Sequence, residues 1–597
     1  MSIAILTGPP VPGSPLEGDL RSLGFDVRTP SEAQDTAALL AAVPAGERVA
    51  VVDPRFVGHV HTLRLALTDP RFAAASVPGA LTAKPEARAS LAWALTAVPE
   101  GAESLPDRIA GALEADGTAV HRPELGSLVG TVPADDAARV DAQAAVAAVD
   151  DEAVRLRSAV KARDGFFTTF CISPYSRYIA RWCARRGFTP NQVTTASLLT
   201  ALIAAGCAAT GTRGGFIAAG ALLIFSFVLD CTDGQLARYS LQYSTLGAWL
   251  DATFDRAKEY AYYAGLAIGA TRGGDDVWAL ALGAMVLQTC RHVVDFSFNE
   301  ANHDATANTS PTAALSDRLD SVGWTVWVRR MIVLPIGERW AMIAVLTAAT
   351  TPRITFYALL IGCAFAACYT TAGRVLRSLT RRAQRTDRAA RALADLADSG
   401  PIAELVARAM GRLKGLPPYG SRALIAAEGA VLLTAAAWFL PFGSLWTVAA
   451  AAFYAVGSGV AVALPLKGAL DWLVPPVFRA AEYGTVLILA AKSGVDGALP
   501  AAFGLVAAVA YHHYDTVYRI RGGTGAPPRW LVRTAGGHEG RTLVVVALAA
   551  VLGTRNTDFT VALAVLAVAV ALVVLGESIR FWVSSGAPAV HDEGEPA

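Results

Sequence analysis

A chain of 597 residues that is 53% hydrophobic, with mean hydropathy +0.41, is too apolar for a string of soluble domains, and its long apolar stretches place most of it in a bilayer. Its net charge of +1 gives no electrostatic footprint for nucleic acid. Seven cysteines (Cys171, Cys183, Cys207, Cys231, Cys290, Cys363, Cys368) form no C-x-x-C pair and read as small buried hydrophobes of a reducing compartment.

Residues 1–132 differ in kind from the rest. Short β-prone runs at 3–7, 25–28 and 48–53 alternate with helical stretches at 36–43 and 60–67, which predicts a soluble α/β domain with a parallel sheet. The opening MSIAILTGPPVPG has neither a basic n-region nor a long h-region, so no cleaved signal is expected. Asp53 ends a Val-rich strand, with His59 and His61 following, and serves either as a ligand carboxylate or as a capping or solvated group. Residues 133–165 read as an Ala-rich, charged helical connector.

A short amphipathic helix comes next. Tyr175, Tyr178, Ile179 and Trp182 fall at i, i+3, i+4 and i+7, and Arg177, Arg181 and Arg185 line another side, a pattern suited to the membrane interface. Thr189 as N-cap and Pro190 at the first helical position then open the first span. Six spans are predicted over 166–382, near 191–210, 215–238, 245–270, 277–297, 338–352 and 354–376. A polar helical linker (383–418) leads to a second six-helix block within 419–585. Its spans lie near 422–440, 446–465, 478–496, 499–518, 541–555 and 559–582, ahead of a disordered tail at 586–597. The fold expected is a polytopic α-helical membrane protein of about twelve transmembrane helices with an N-terminal soluble α/β domain.

Basic residues set the orientation. Arg177 to Arg186, Arg238, Arg329, Arg330, Arg339 and the run 377–391 fall on one side, against Arg213, Arg272 and Arg353 on the other. The positive-inside rule makes the first side cytoplasmic, with both termini inside.

The stretch 230–255, DCTDGQLARYSLQYSTLGAWLDATFD, joins the second and third spans. It fills every position of D-x2-D-G-x2-A-R-x8-G-x3-D-x3-D: Asp230, Asp233, Gly234, Ala237, Arg238, Gly247, Asp251 and Asp255. Carboxylates at a membrane seam are costly and mark working sites. Asp230 and Asp233 at i, i+3 share one helix face, as do Asp251 and Asp255 at i, i+4. Four such charges need cations, and hard oxygen donors select Mg²⁺ or Mn²⁺, of which paired carboxylate helices hold two. Gly234 and Gly247 leave bare backbone for a close approach, and Arg238 offers a cation for phosphate.

These residues resemble the CDP-alcohol phosphotransferases (CDP-alcohol phosphatidyltransferases), integral membrane enzymes with six-helix catalytic domains. The likeness covers about 166–380. It implies two divalent ions on Asp230, Asp233, Asp251 and Asp255, with Asp255 also the general base for the acceptor hydroxyl. It implies a CDP pocket shaped by Asp233, Gly234, Ala237, Arg238 and Gly247. The reaction implied is attack of an alcohol on the β-phosphorus of a CDP-linked donor, releasing CMP, in a homodimer. The domain order is similar to bifunctional enzymes that make CDP-inositol and join inositol phosphates, with 1–132 in the place of the nucleotidyltransferase. The loop LTGPPVPGSP departs from that likeness: prolines remove backbone donors and the arginine is missing, so a degenerate domain is expected.

Other candidates are weaker. Arg291 serves an acceptor phosphate or a partner within the bundle, and Arg374 and Arg377 serve acceptor phosphate or anchor the span end. His512 and Asp515, at i, i+3 in the second block, offer two metal ligands or a packing pair. A different class of function, a transporter or scaffold run by the second block, is distinguished by whether CMP is released. The acceptor, inositol phosphate, glycerol phosphate or another polyol, is left open, as is a lipid or soluble CDP donor.

Overall fold

The computed structural model of the chain describes residues 2–30, 35–98, 103–161, 164–304, 327, 331–380, 385–412, 421–553 and 557–584. The tail at 586–597, and Arg329 and Arg330, lie outside the described residues.

The N-terminal domain is built on strands β1 (Ser2–Leu6), β2 (Phe25–Arg28), β3 (Val49–Val52), β4 (Val57–Gly58), β5 (Ala74–Val77), β6 (Ala80–Ala83), β7 (Val120–His121) and β8 (Gly130–Thr131). Helices α1 (Leu16–Ser22), α2 (Asp35–Ala41), α3 (Val60–Leu67), α4 (Arg88–Ala97) and α5 (Leu105–Ala115) cover the sheet. The strand order is β2-β1-β3-β6-β5-β7, with β4 and β8 paired separately. The expected α/β alternation is present, but the sheet is mixed rather than parallel. β1 runs parallel to β2 and β3, whereas β6 runs antiparallel to both β3 and β5. The cause is a hairpin: Pro78 and Gly79, the latter at φ +80°, turn β5 back into β6, where a parallel connection needs a crossover. Val49 to Val52 are all buried, as a central strand covered on both faces requires.

The connector is two helices rather than one, α6 (Asp136–Ala147) and α7 (Asp151–Ser158). The break at 148–150 carries Asp150, whose carboxylate accepts from the Ala153 amide as the N-cap of α7. The amphipathic helix α8 (Ser173–Arg185) exposes Tyr175, Tyr178 and Trp182.

The first membrane block comprises α9 (Pro190–Ala209), α10 (Arg213–Ser240), α11 (Thr245–Arg272), α12 (Trp278–Asn302), α13 (Ile336–Ala349) and α14 (Pro352–Thr380). Thr189 caps α9 as expected, in a full capping box with Gln192. Helices α15 (Asp387–Leu396) and α16 (Pro401–Arg412) follow, then α17 (Arg422–Phe439), α18 (Leu445–Ala461), α19 (Val474–Ser493) and α20 (Ala498–Arg521). The chain ends in α21 (Arg529–Thr534), α22 (Gly537–Leu552) and α23 (Asp558–Ser584). A helix stands at each predicted span. Among the described residues, seven segments are long and apolar enough to cross a membrane: Pro190–Ala209, Arg213–Ser240, Pro352–Thr380, Arg422–Phe439, Asp471–Ser493, Arg529–Leu552 and Asp558–Ser584. The protein is therefore a multi-pass membrane protein. Helices α11, α12 and α20 carry charges that pair inside the bundle, which lowers their hydropathy.

The segment expected as a polar linker is packed into the bundle instead. Leu393 and Leu396 of α15 are fully buried, and Asp398 is enclosed by Arg479, Arg541 and His512. Burial pushes the Asp398 carboxyl up, but Arg541, His512 and Arg479 together hold it well below the usual range. Arg339, counted on sequence among the basic cytoplasmic residues, is buried against Glu259 at 3.4 Å. All seven cysteines are free, but only Cys183 and Cys363 are buried, and Cys171 and Cys368 are exposed.

Candidate active site

Helix α10 ends at Leu241, in the left-handed region at φ 52°, and α11 starts at Thr245 under the Ser244 cap. This tight turn sets the two carboxylate-bearing helix ends against one another. Oxygens of Asp230, Asp233 and Asp251 all lie within 4.8 Å of one another. The fourth carboxylate, Asp255, sits beside them but is ion-paired with Lys258 at 2.9 Å. The same ammonium is ion-paired with Asp230 and donates to Ser197 Oγ at 3.2 Å. Lys258 is only 1% exposed, so its charge is committed to this centre.

The residues fit a divalent cation. The donor set is all carboxylate oxygen, the three ligand atoms converge, and Asp233 Oδ2 is buried with no hydrogen-bond partner among the described residues.

A cavity of about 390 Å³ opens over the centre, large enough for a nucleotide-sized ligand. All four aspartates line it, together with Gly234 and Arg238 of the expected CDP pocket. Arg238 Nε donates to the Ala159 carbonyl of the connector at 2.6 Å, which fixes the guanidinium at the rim. A side chain at Gly234 would meet that guanidinium at 3.5 Å. Ala237 and Gly247 do not line the cavity. Ala237 is buried against Leu241 and Tyr243, and Gly247 admits the Asn191 side chain, whose Oδ1 would lie 2.7 Å from an added Cβ.

The three arginines considered for an acceptor phosphate also lie away from this cavity. Arg291 is buried and donates to the Val333 carbonyl, and Arg374 is ion-paired with Asp295. Arg377 lies in the last turn of the same helix, α14, and is absent from the lining. Charge pairing inside the bundle accounts for Arg374, whereas Nε and Nη1 of Arg291 are buried with no hydrogen-bond partner among the described residues. His512 and Asp515 do not converge either: His512 faces Asp398 at 3.1 Å, while Asp515 accepts from Ser578 and Trp582 and pairs with Arg519. Asp53 holds the backbone and guanidinium of Arg55, and His59 is tied to Val129 and Val146.

Two contributions were not expected from sequence. Lys258 is the first; its signal was a lysine three residues past Asp255 inside a predicted span. The second is a part of the cavity lining that comes from the second block, Tyr518, Arg521, Thr524 and Trp582.

The comparisons with known proteins fall on this part of the chain. Residues 188–368 match the family model described as CDP-alcohol phosphatidyltransferase. Residues 387–597 match a family of unknown function (DUF5941). The chain is 34% identical over 131 residues to a phosphatidylinositol phosphate synthase of Streptomyces avermitilis, covering 21% of this chain and 51% of the relative. It is 31% identical over 113 residues to an archaetidylinositol phosphate synthase of Pyrococcus horikoshii, 19% of this chain and 58% of that protein. A bifunctional IPC transferase and DIPP synthase of Aquifex aeolicus is 32% identical over 105 residues, 18% of this chain and 23% of the relative. The chain thus spans about half or less of the first two curated relatives it matches. With the filled motif at the centre of the matched region and its carboxylates gathered at one cavity, residues 188–368 are similar to the CDP-alcohol phosphatidyltransferases in both sequence and site.

Proposed function

We propose that the chain transfers a phosphoalcohol or phosphatidyl group from a CDP-linked donor to a phosphorylated polyol, inositol phosphate or glycerol phosphate, and releases CMP. The observation that carries this reading is the convergence of Asp230, Asp233 and Asp251 under a cavity rimmed by Arg238. Asp230, Asp233 and Asp251 would hold Mg²⁺ or Mn²⁺, with Asp255 completing a two-ion set, and a cation held there would supply positive charge against the donor diphosphate. Arg238, anchored on Ala159, orients the diphosphate. Asp255 takes the proton from the acceptor hydroxyl. The new bond joins that oxygen to the β-phosphorus, and the bond to the CMP oxygen breaks. Glu152 and Arg155 of α7 grip Tyr239 at the end of α10, so the soluble domain stands on the side of the membrane where the cavity opens. That side is the cytoplasmic one by the excess of arginine around α8, in a twelve-span topology with both termini inside. The soluble domain is a non-catalytic nucleotidyltransferase relic.

The test is CMP release by purified full-length protein with Mg²⁺, CDP-diacylglycerol or soluble CDP-alcohols as donors, and inositol phosphate or glycerol phosphate as acceptors. Asp255→Asn should lower turnover by roughly 10²–10⁴-fold, the usual worth of a positioned base, while the protein remains folded. Undiminished turnover in that variant would remove the assigned base; no CMP from any donor would remove the reaction.

A further inference from the structure

The second membrane block repeats the plan of the first. In the first, α9 packs on α10 and α11, α10 packs on α13, and α12 and α13 each pack on α14. In the second, α17 packs on α18 and α19, α18 packs on α22, and α20 and α22 each pack on α23. The helix before each block packs on that block's second helix: α8 on α10, and α16 on α18.

Buried chemistry repeats as well. On α11, Arg256-Ala257-Lys258-Glu259-Tyr260 corresponds to Arg479-Ala480-Ala481-Glu482-Tyr483 on α19. Arg256 pairs with Glu259 at 2.7 Å, and Arg479 with Glu482 at 2.7 Å. An arginine from the fifth helix closes each cluster, Arg339 on Glu259 at 3.4 Å and Arg541 on Glu482 at 2.6 Å. Glu338, next to Arg339, accepts from the Phe167 amide ahead of α8, and Glu539, two residues before Arg541, accepts from Gly400 and Ala403 at the start of α16. The fourth helices share a His-x-x-Asp pair, His292 with Asp295 and His512 with Asp515. General helix packing does not require the same ion triad, the same capping carboxylate and the same helix neighbours together.

In that register Asp251 corresponds to Val474, Asp255 to Phe478 and Lys258 to Ala481, and α18 carries no acidic residue at all. The carboxylate centre is gone while its scaffold persists. The two blocks meet reciprocally: α12 packs on α19 and α20, and α11 packs on α20. Contact of third with fourth helix in both directions is the signature of a two-fold interface, here within one chain. The docking brings the end of α20 and Trp582 to the cavity. Trp582 stacks on Trp249 with ring centroids 6.3 Å apart, and Arg521 lies over the Phe296 ring at 5.2 Å.

We infer that the second block is a duplicate of the phosphotransferase fold that has lost its metal centre, and that it now completes the surviving centre, with Arg521 binding the phosphate of the acceptor. The acceptor part rests on the proposed reaction. Arg238 serves the donor diphosphate, with Lys161 of the connector also in the lining, so Arg521, the cation that the second block adds, takes the second anionic substrate.

The experiment uses the full chain. Mn²⁺ binding is titrated by electron paramagnetic resonance in wild type and in an Asp233→Asn, Asp251→Asn double variant. The double variant should lose all tight binding; tight Mn²⁺ retained by it would place a working centre in the second block and overturn the inference. Arg521→Gln should raise KM for the phosphorylated acceptor at least tenfold, with kcat and Mn²⁺ binding unchanged, and Arg521→Lys should recover part of the loss. An unaltered KM in Arg521→Gln would overturn the role of Arg521. Calorimetric binding of glycerol 3-phosphate and inositol phosphate to Mn²⁺-loaded protein reads the same variant without turnover. A chain inactive with every CDP donor would therefore fail the reaction without deciding the role of Arg521.

Discussion

The ammonium of Lys258, enclosed by Asp230, Asp255 and Ser197, changes the charge arithmetic of the carboxylate centre. Four clustered carboxylates with no cation would repel one another strongly at low dielectric. Lys258 offsets one of those charges permanently and ties the first aspartate of α10 to the last aspartate of α11. The aspartates were legible in the sequence because i, i+3 and i, i+4 spacings fix a helix face. The pairing of Lys258 was not, because it depends on a contact across 28 residues between two helices. Replacing Lys258 with Met keeps the length and removes the charge. Lys258→Met should destabilise the protein in EDTA by ~3 kcal/mol, the scale for breaking a buried ion pair. Mg²⁺ should restore a larger share of the thermal midpoint in this variant than it adds to wild type. Equal midpoints for wild type and Lys258→Met in EDTA would show that the ammonium carries no such load.

At the scale of elements, the site depends on how closely α11 approaches α9. Gly265 and Gly269, one turn apart, face the backbone of α9: an added Cβ would lie 2.4 Å from the Ala205 carbonyl oxygen and 2.0 Å from that of Ala208. A backbone atom cannot swing aside as a side-chain tip does, so the helices must separate. Close small-residue packing of this kind is what holds membrane helices together without a hydrophobic drive between them. Gly269→Ala should therefore lower the thermal midpoint and weaken Mn²⁺ binding, because α11 carries Asp251 and Asp255 outward as it moves. Gly206→Ala, on α9 with nothing within 4 Å of the new methyl, is the matched control and should leave both unchanged. If Gly269→Ala matched that control, the helix spacing would not be what positions the carboxylates. Helix positions were readable from apolar runs and from the Thr189-Pro190 start. The sheet direction was not, because it turns on the short Pro78-Gly79 hairpin between two runs that read as neither strand nor helix. The duplicated plan was hidden for a related reason: of the stretch Arg256–Tyr260 only four positions recur in α19, and the motif that would have marked it has been lost.

For the molecule as a unit, the soluble domain and the catalytic end of α10 are mechanically joined. Arg155 donates to the Tyr239 carbonyl at 2.8 Å and stacks over the Tyr239 ring, while Arg71 lies over Tyr243 in the turn that carries the motif. Next to this junction is His61 on α3, 3% exposed. Burial, with the neighbouring Arg155, Arg64 and His59, pushes its imidazole down to about 3 from an ordinary 6.5. Between those values the unfolded domain binds a proton at this residue that the folded domain does not. Stability therefore falls as pH drops below about 6.5 and continues to fall toward 3. Hydrogen exchange over 57–67 should accordingly become faster between pH 6.5 and pH 5, beyond the intrinsic pH dependence of exchange. The catalytic end of α10 should lose protection with it, since α7 packs on both α3 and α10. His61→Asn, which cannot take up the proton, should flatten that dependence in both segments. Loss of protection confined to 57–67 would mean that the domain is attached to the enzyme without bracing it, and an unchanged acid profile in His61→Asn would assign the sensitivity to another group.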